Sequence, residues 1–135
     1  MTLQASEIVR NARLNAIETT IGAAPLLRIY TGAAPANCGI AATGTLLAQM
    51  TLPSDWLSSA SGGNISKSGT WSDASADDTG TAGYFRIYDS TGTTCHVQGN
   101  VTQVGYSGDL MFTDVDFVAT NPITIATFVL TDANS

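Results

Sequence analysis

The chain carries one histidine, His96, so hydrolysis of the serine–histidine–aspartate kind would have to run through it. Ser107 is the serine most suggestive of a nucleophile, set between glycines in Gly105-Tyr106-Ser107-Gly108-Asp109. The run departs from the Gly-x-Ser-x-Gly elbow, which places its serine between a strand and a helix. Strands are expected on both sides of Ser107, which makes it a turn residue. Two carboxylate pairs, Asp77/Asp78 and Asp114/Asp116, have the residue type that glycoside hydrolysis requires. The first lies in a Gly/Thr/Ala segment, where aspartate serves turns and caps. The second puts two like charges on one strand face, with Val115 and Phe117 on the other, the pattern of a solvated edge. Asp73-Ala74-Ser75-Ala76-Asp77-Asp78 follows the opening of an oxygen-ligand calcium loop, but Asp78 stands where that loop needs glycine and Tyr84 where it needs glutamate. The sequence therefore points to no catalytic residue, no metal and no cofactor.

Cys38 and Cys95 show no Cys-x-x-Cys spacing, and the neighbours Cys95 and His96 cannot both point into one site from a strand. They are two small buried or half-buried thiols, or a disulfide if the finished protein lives in an oxidising place. Trp56, Trp71, Tyr84, Tyr88 and Tyr106 are the aromatic resource. Burial is the default for tryptophan, and exposed rings on a sheet face would make a sugar-stacking platform or a protein contact.

The feature that organises the chain is a repeated phrase. Arg-Ile-Tyr occurs in Leu27-Arg28-Ile29-Tyr30-Thr31 and again in Phe85-Arg86-Ile87-Tyr88-Asp89. Period-two alternation marks half-buried strands, with Leu27/Ile29 and Phe85/Ile87 inward and Arg28/Tyr30 and Arg86/Tyr88 outward, toward solvent or a neighbouring subunit. Each cysteine follows its copy by seven or eight residues, so neighbouring strands would bring the thiols close together.

Composition sets the frame for these strands. The 135 residues make one domain, with 44% hydrophobic residues and a mean hydropathy of +0.14. Only 12% are charged, against roughly 25% in an average domain. Thr, Ser, Gly, Ala and Asn must cover the surface, as in β-rich proteins that work as assembled objects. The net charge of −6 and five scattered basic residues argue against nucleic-acid binding, which needs clustered Lys and Arg. No signal peptide is visible, and the apolar runs are too short for a membrane span.

Residues 5–21 read as the one helix, with an apolar line through Ile8, Ala12, Ala16 and the neighbouring Ile17, Ser6 as N-cap, and Gly22 and Pro25 as the stop. Leu14, Ile17 and Ile21 form a second apolar line. Residues 1–24 thus form a helical segment that either caps the sheet or is clamped between subunits. From residue 25 to 135 the chain reads as β, with strands predicted over 26–31, 44–52, 63–68, 69–74, 82–89, 93–102, 109–117 and 123–131. Pro53–Leu57 is expected to make one helical turn. About eight short strands at this spacing predict a mainly β chain, an antiparallel β-sandwich or jelly roll with an N-terminal helix.

Four phrases carry a resemblance: Ala12-Arg13-Leu14-Asn15-Ala16-Ile17-Glu18-Thr19-Thr20-Ile21-Gly22, Leu27-Arg28-Ile29-Tyr30-Thr31-Gly32 with Pro35, Thr43-Gly44-Thr45-Leu46-Leu47-Ala48, and Gly80-Thr81-Ala82-Gly83-Tyr84-Phe85-Arg86-Ile87-Tyr88-Asp89. Together they resemble small proteins encoded among the virion structural genes of tailed bacteriophages. The likeness covers nearly the whole chain in texture and short phrases, and brings no functional residues with it. It implies a non-enzymatic virion component assembled in the host cytoplasm. That component would be a head decoration or cement protein that binds the major capsid protein as a homo-oligomer, a trimer being favoured. The alternative is a tail or fibre part whose β-sandwich binds a host glycan or receptor. Contacts between subunits are expected from Ile8, Ala12, Ile17 and the strand containing Phe128. Arg28, Tyr30, Arg86 and Tyr88 would add polar contacts, with the two arginines pairing with acidic neighbours.

Overall fold

The computed structural model describes residues 3–133. The chain is mainly β, 38% strand and 11% helix, with one helix and a curled multi-stranded sheet. Helix α1 (Glu7–Ile21) starts where Ser6 adopts extended backbone and its hydroxyl accepts the Val9 N–H at 3.3 Å. It ends at Gly22, whose φ of 93° is open to glycine and whose N–H returns to the Glu18 carbonyl.

Ten strands follow among the described residues: β1 (Leu26–Thr31), β2 (Leu46–Thr51), β3 (Asn64–Ser66), β4 (Trp71–Asp73), β5 (Gly80–Tyr88), β6 (Cys95–Gln103), β7 (Leu110–Phe112), β8 (Asp116–Phe117), β9 (Ile123–Ile125) and β10 (Val129–Thr131). The main sheet runs β2-β1-β5-β6-β7, with β8 beside the start of β5, and two ribbons, β3/β10 and β4/β9, complete the pairing. The two Arg-Ile-Tyr strands are adjacent and antiparallel, with Arg28 directly opposite Arg86 and Ile29 opposite Phe85.

Several expected elements come out differently. The predicted strand 123–131 divides into β9 and β10, which join different ribbons. Phe128, lying between them, turns into the core instead. The predicted strand 109–117 likewise divides into β7 and β8. Pro53–Leu57 is not helical; Trp56 and Leu57 are driven into the interior, where the Trp56 indole N–H finds the Gly22 carbonyl at 3.1 Å. One pair is parallel, β6 with β7. Parallel neighbours ordinarily need a long crossover, but here the chain doubles back within residues 104–109. Thr102 Oγ1 accepts the Gly108 N–H and the Asp109 carboxylate accepts the Asn100 N–H, which ties the reversal to β6.

The core lies on one face of the main sheet. Leu27, Ile29, Phe85 and Ile87 point into it and meet Trp56, Trp71 and Phe128 from the loop and ribbon layer. Phe128 packs edge-on against Phe85 at 5.8 Å and tilted against Trp71 at 5.2 Å, and Trp56 adjoins Trp71 at 6.0 Å. Such ring pairs add about 0.5–1.5 kcal/mol each beyond the area they bury. The helix joins the same core through Leu14 and Ile21, with Ile17 packed at its margin.

Candidate functional site

The outward face of β1 and β5 is where sequence reasoning placed a contact surface, and it is covered by the chain itself. Residues 32–45, between β1 and β2, form an Ω-like loop with a pinned neck. The Thr31 N–H donates to the Thr45 carbonyl at 3.0 Å, and the Thr45 N–H to the Thr31 hydroxyl at 2.9 Å. A side chain at Gly83 would strike the Gly32 carbonyl oxygen, so glycine there lets the loop leave the sheet at close range.

From this neck the loop lies over Tyr84, Arg86 and Gln98, and these side chains hold its backbone. The Arg86 guanidinium donates to the Ile40 carbonyl at 2.8 Å and the Asn37 carbonyl at 3.3 Å. The Tyr84 hydroxyl donates to the Thr43 carbonyl at 2.5 Å and accepts the Thr43 N–H at 3.0 Å. The Gln98 amide donates to the Pro35 carbonyl at 2.7 Å. At the far end Cys38 Sγ lies 2.7 Å from Cys95 Sγ, both as free thiols.

This arrangement covers three of the contact candidates. Tyr30, Arg86 and Tyr88 keep only 8%, 2% and 7% of their surface exposed. Tyr30 stacks on Tyr84 at 5.1 Å and its hydroxyl lies 3.4 Å from that of Tyr88. Phe128, 3% exposed, is likewise withdrawn from any surface. Arg28 stays at the border, its guanidinium 4.6 Å above the Tyr88 ring and its Nε bonded to Gln49 at 2.7 Å. The acidic partners expected for the two arginines are replaced by Gln49 for Arg28 and loop carbonyls for Arg86. The ion pair seen among the described residues is Arg13–Asp132.

The electrostatics follow from this burial. Loss of water, reinforced by the Tyr88 hydroxyl, pushes Tyr30 up to about 12. Burial, with the adjoining Cys38 thiol, pushes Cys95 up to about 12. Burial alone would lower Arg86, but the Tyr88 hydroxyl and the nearby Cys95 favour its charge and the balance is upward.

The helix presents the second surface. Glu7, Asn11 and Asn15 form a polar line at i, i+4, i+8, and their side-chain oxygens accept the backbone N–H groups of Gly62, Gly63 and Ala60 at 3.0, 2.9 and 2.9 Å. On the opposite side Arg13 grips the Asp132 carboxylate with two bonds, at 2.6 and 2.8 Å. With these tethers and the inward Leu14 and Ile21, the line through Ile8, Ala12 and Ala16 faces away from the protein. Ile8 is 81% exposed. Ile17 is half-buried and borders a shallow groove of about 260 Å³ shared with His96 and Val97 of β6.

The remaining chemical candidates are dispersed. His96 lies beside the helix, and Ser107 lies in the 104–109 reversal, with no hydrogen bond between them among the described residues. Asp114 accepts the Asp116 N–H and Asp116 accepts the Thr81 hydroxyl, so that pair shapes the entry to β8. Asp73 accepts the N–H groups of Gln49 and Ser75, covering the edge of β2. Among the described residues no group of three or more His, Cys, Asp or Glu side chains converges as for a metal. An open cleft of about 460 Å³ between the helix C-terminus and residues 54–59 holds Glu18 and Asp55. Burial and the Asp55 carboxyl raise Glu18. Both tryptophans are fully buried, so neither offers a ring to a sugar.

Comparison with protein-family models, with curated proteins and with solved structures found no match.

The polar helix line was missed from sequence, although Glu7, Asn11 and Asn15 stand at helical spacing. The covering loop gives no such signal: Gly32-Ala33-Ala34-Pro35 marks where it begins, and nothing local marks where it lies.

Proposed function

We propose that the protein is a non-enzymatic structural component of a tailed-bacteriophage virion. In this reading it is a head decoration protein that self-associates through the outward line of α1 and sits on the major capsid shell. The observation that carries the reading is that line: Ile8, Ala12 and Ala16 at helical spacing, turned away from the core while polar residues on another face dock the helix. An apolar line of small side chains allows close approach of a second helix, and a closed ring of copies buries it in every subunit. The weakly charged exterior, and a loop that covers much of the outer face of β5, suit an object present in many copies. In the same reading, the main sheet and the ribbon layer packed on its inner face correspond to the two layers of a sandwich.

The test is sedimentation of the purified full chain beside Ile8→Asp and Ala12→Asp, followed by incorporation into particles. A wild-type oligomer, a trimer for preference, should become a monomer in both variants with an unchanged melting temperature, and particle incorporation should fall. A wild-type monomer, together with normal incorporation of Ile8→Asp, overturns the proposal.

A further inference from the structure

We propose that Cys38 and Cys95 are a modification site: under oxidising conditions they join as an intramolecular disulfide that locks the 32–45 loop onto the sheet.

Three observations converge on it. The sulfur atoms already lie 2.7 Å apart, across a sequence separation of 57 residues, so no rearrangement of the fold is required. The positions belong to different kinds of structure: Cys95 is anchored in β6 opposite Tyr88, whereas Cys38 rides on the loop. The other tethers of this loop to the sheet, from Tyr84, Arg86 and Gln98, are hydrogen bonds to its backbone at Thr43, Asn37, Ile40 and Pro35, each breakable alone. A covalent link at Cys38 converts them into a set that cannot open together.

The chemistry is thiol–disulfide exchange with a small-molecule disulfide such as oxidised glutathione. One cysteine thiolate attacks a sulfur of the oxidant, forming a mixed disulfide and expelling one oxidant thiolate. The second cysteine sulfur then attacks the mixed disulfide, closing the Cys38–Cys95 bond and expelling the other thiolate. The pair loses two protons and two electrons, and the oxidant becomes two thiols. Burial and the neighbouring thiol push Cys95 up to about 12, so the exchange quickens as pH rises. Because the link closes a long span, it restricts the unfolded chain far more than the folded one.

The full chain, reduced with dithiothreitol and then exposed to oxidised glutathione, tests this directly. The expected product is a single chain lighter by about 2 Da, with a single Cys38–Cys95 cross-linked peptide and no thiol left for alkylation. Its melting temperature should lie roughly 5–15 °C above that of the reduced protein. Cleavage within residues 32–45 by an added protease should slow in parallel. Both states are measured on wild type, so the result does not depend on a variant folding; Cys38→Ser and Cys95→Ser should each abolish the mass change and the melting shift. Persistence of two alkylatable thiols, a stable glutathione adduct, a cross-link between chains, or an internally cross-linked chain without a melting shift would each overturn it.

Discussion

Arg28 and Arg86 occupy the same place in the same tripeptide and face each other across adjacent strands, yet they live in different media. Arg28 sits one strand nearer the sheet edge, where the loop does not reach. Its charge remains partly in water, steadied by the Tyr88 ring and Gln49. Arg86 sits beneath the loop, 2% exposed, and its charge is offset by two backbone carbonyls in place of a carboxylate. Its Nε has no partner among the described residues. A cation can be buried without a counterion if enough fixed dipoles point at it, but removing it then strands those dipoles. The pair shows that alternation assigns a residue to a face, whereas the neighbouring segments decide whether that face is surface or interior.

The contrast can be broken most forcefully at Arg86. Arg86→Ala leaves the Ile40 carbonyl without its side-chain donor over a cavity, the Asn37 carbonyl keeping the Ile40 N–H, and should destabilise the protein by about 3 kcal/mol in urea unfolding. Arg86→Met, which keeps most of the volume, should lose less than Arg86→Ala; equal losses would mean that the bonds to the loop, and not its packing, carry the effect. Tyr84→Phe removes both contacts to Thr43 and should cost about 1–2 kcal/mol in the same assay, with faster proteolysis of residues 32–45. Alkaline titration gives a sharper readout of the buried layer. Tyr30 holds its proton to about 12 in the folded protein, against an ordinary 10.0, so its contribution is complete below pH 10 and is lost as pH rises toward 12. Tyr30→Phe should flatten that part of the stability curve, and an unchanged slope would place Tyr30 in contact with water. The smallest effect belongs to the half-buried partner: Arg28→Ala should cost about 1 kcal/mol or less, diminishing further in salt. A loss as large as that of Arg86→Ala would erase the distinction between the two strands.

Much of this architecture could be read before the fold was seen. The helix appears with its Ser6 cap and Gly22 stop, because both signals act within one turn of the residues they serve. The two Arg-Ile-Tyr strands keep their inward Leu27, Ile29, Phe85 and Ile87, because alternation survives any choice of partner. The last predicted strand fared worse. Residues 123–131 are apolar enough for one strand, but the Trp71 and Phe85 rings draw Phe128 inward and break the run into β9 and β10. Of the surface candidates, Ile8 and Ala12 lie outward. Ile17 sits at the margin of the core, and the Arg/Tyr group is split by the loop.

What the residues determined by themselves is therefore local: where the helix starts and stops, which strand residues share a face, and that two thiols follow two similar strands. What only the tertiary structure decided is which faces are covered. Three lines run along α1: Leu14 and Ile21 of one enter the core, and the polar one docks beside them because its side-chain oxygens accept the Gly62, Gly63 and Ala60 N–H groups. The loop won the Arg86 face because its Pro35, Asn37 and Ile40 carbonyls found side-chain donors there. Satisfying buried backbone groups is a constraint of the whole fold, and it carries no signature in any short stretch of sequence.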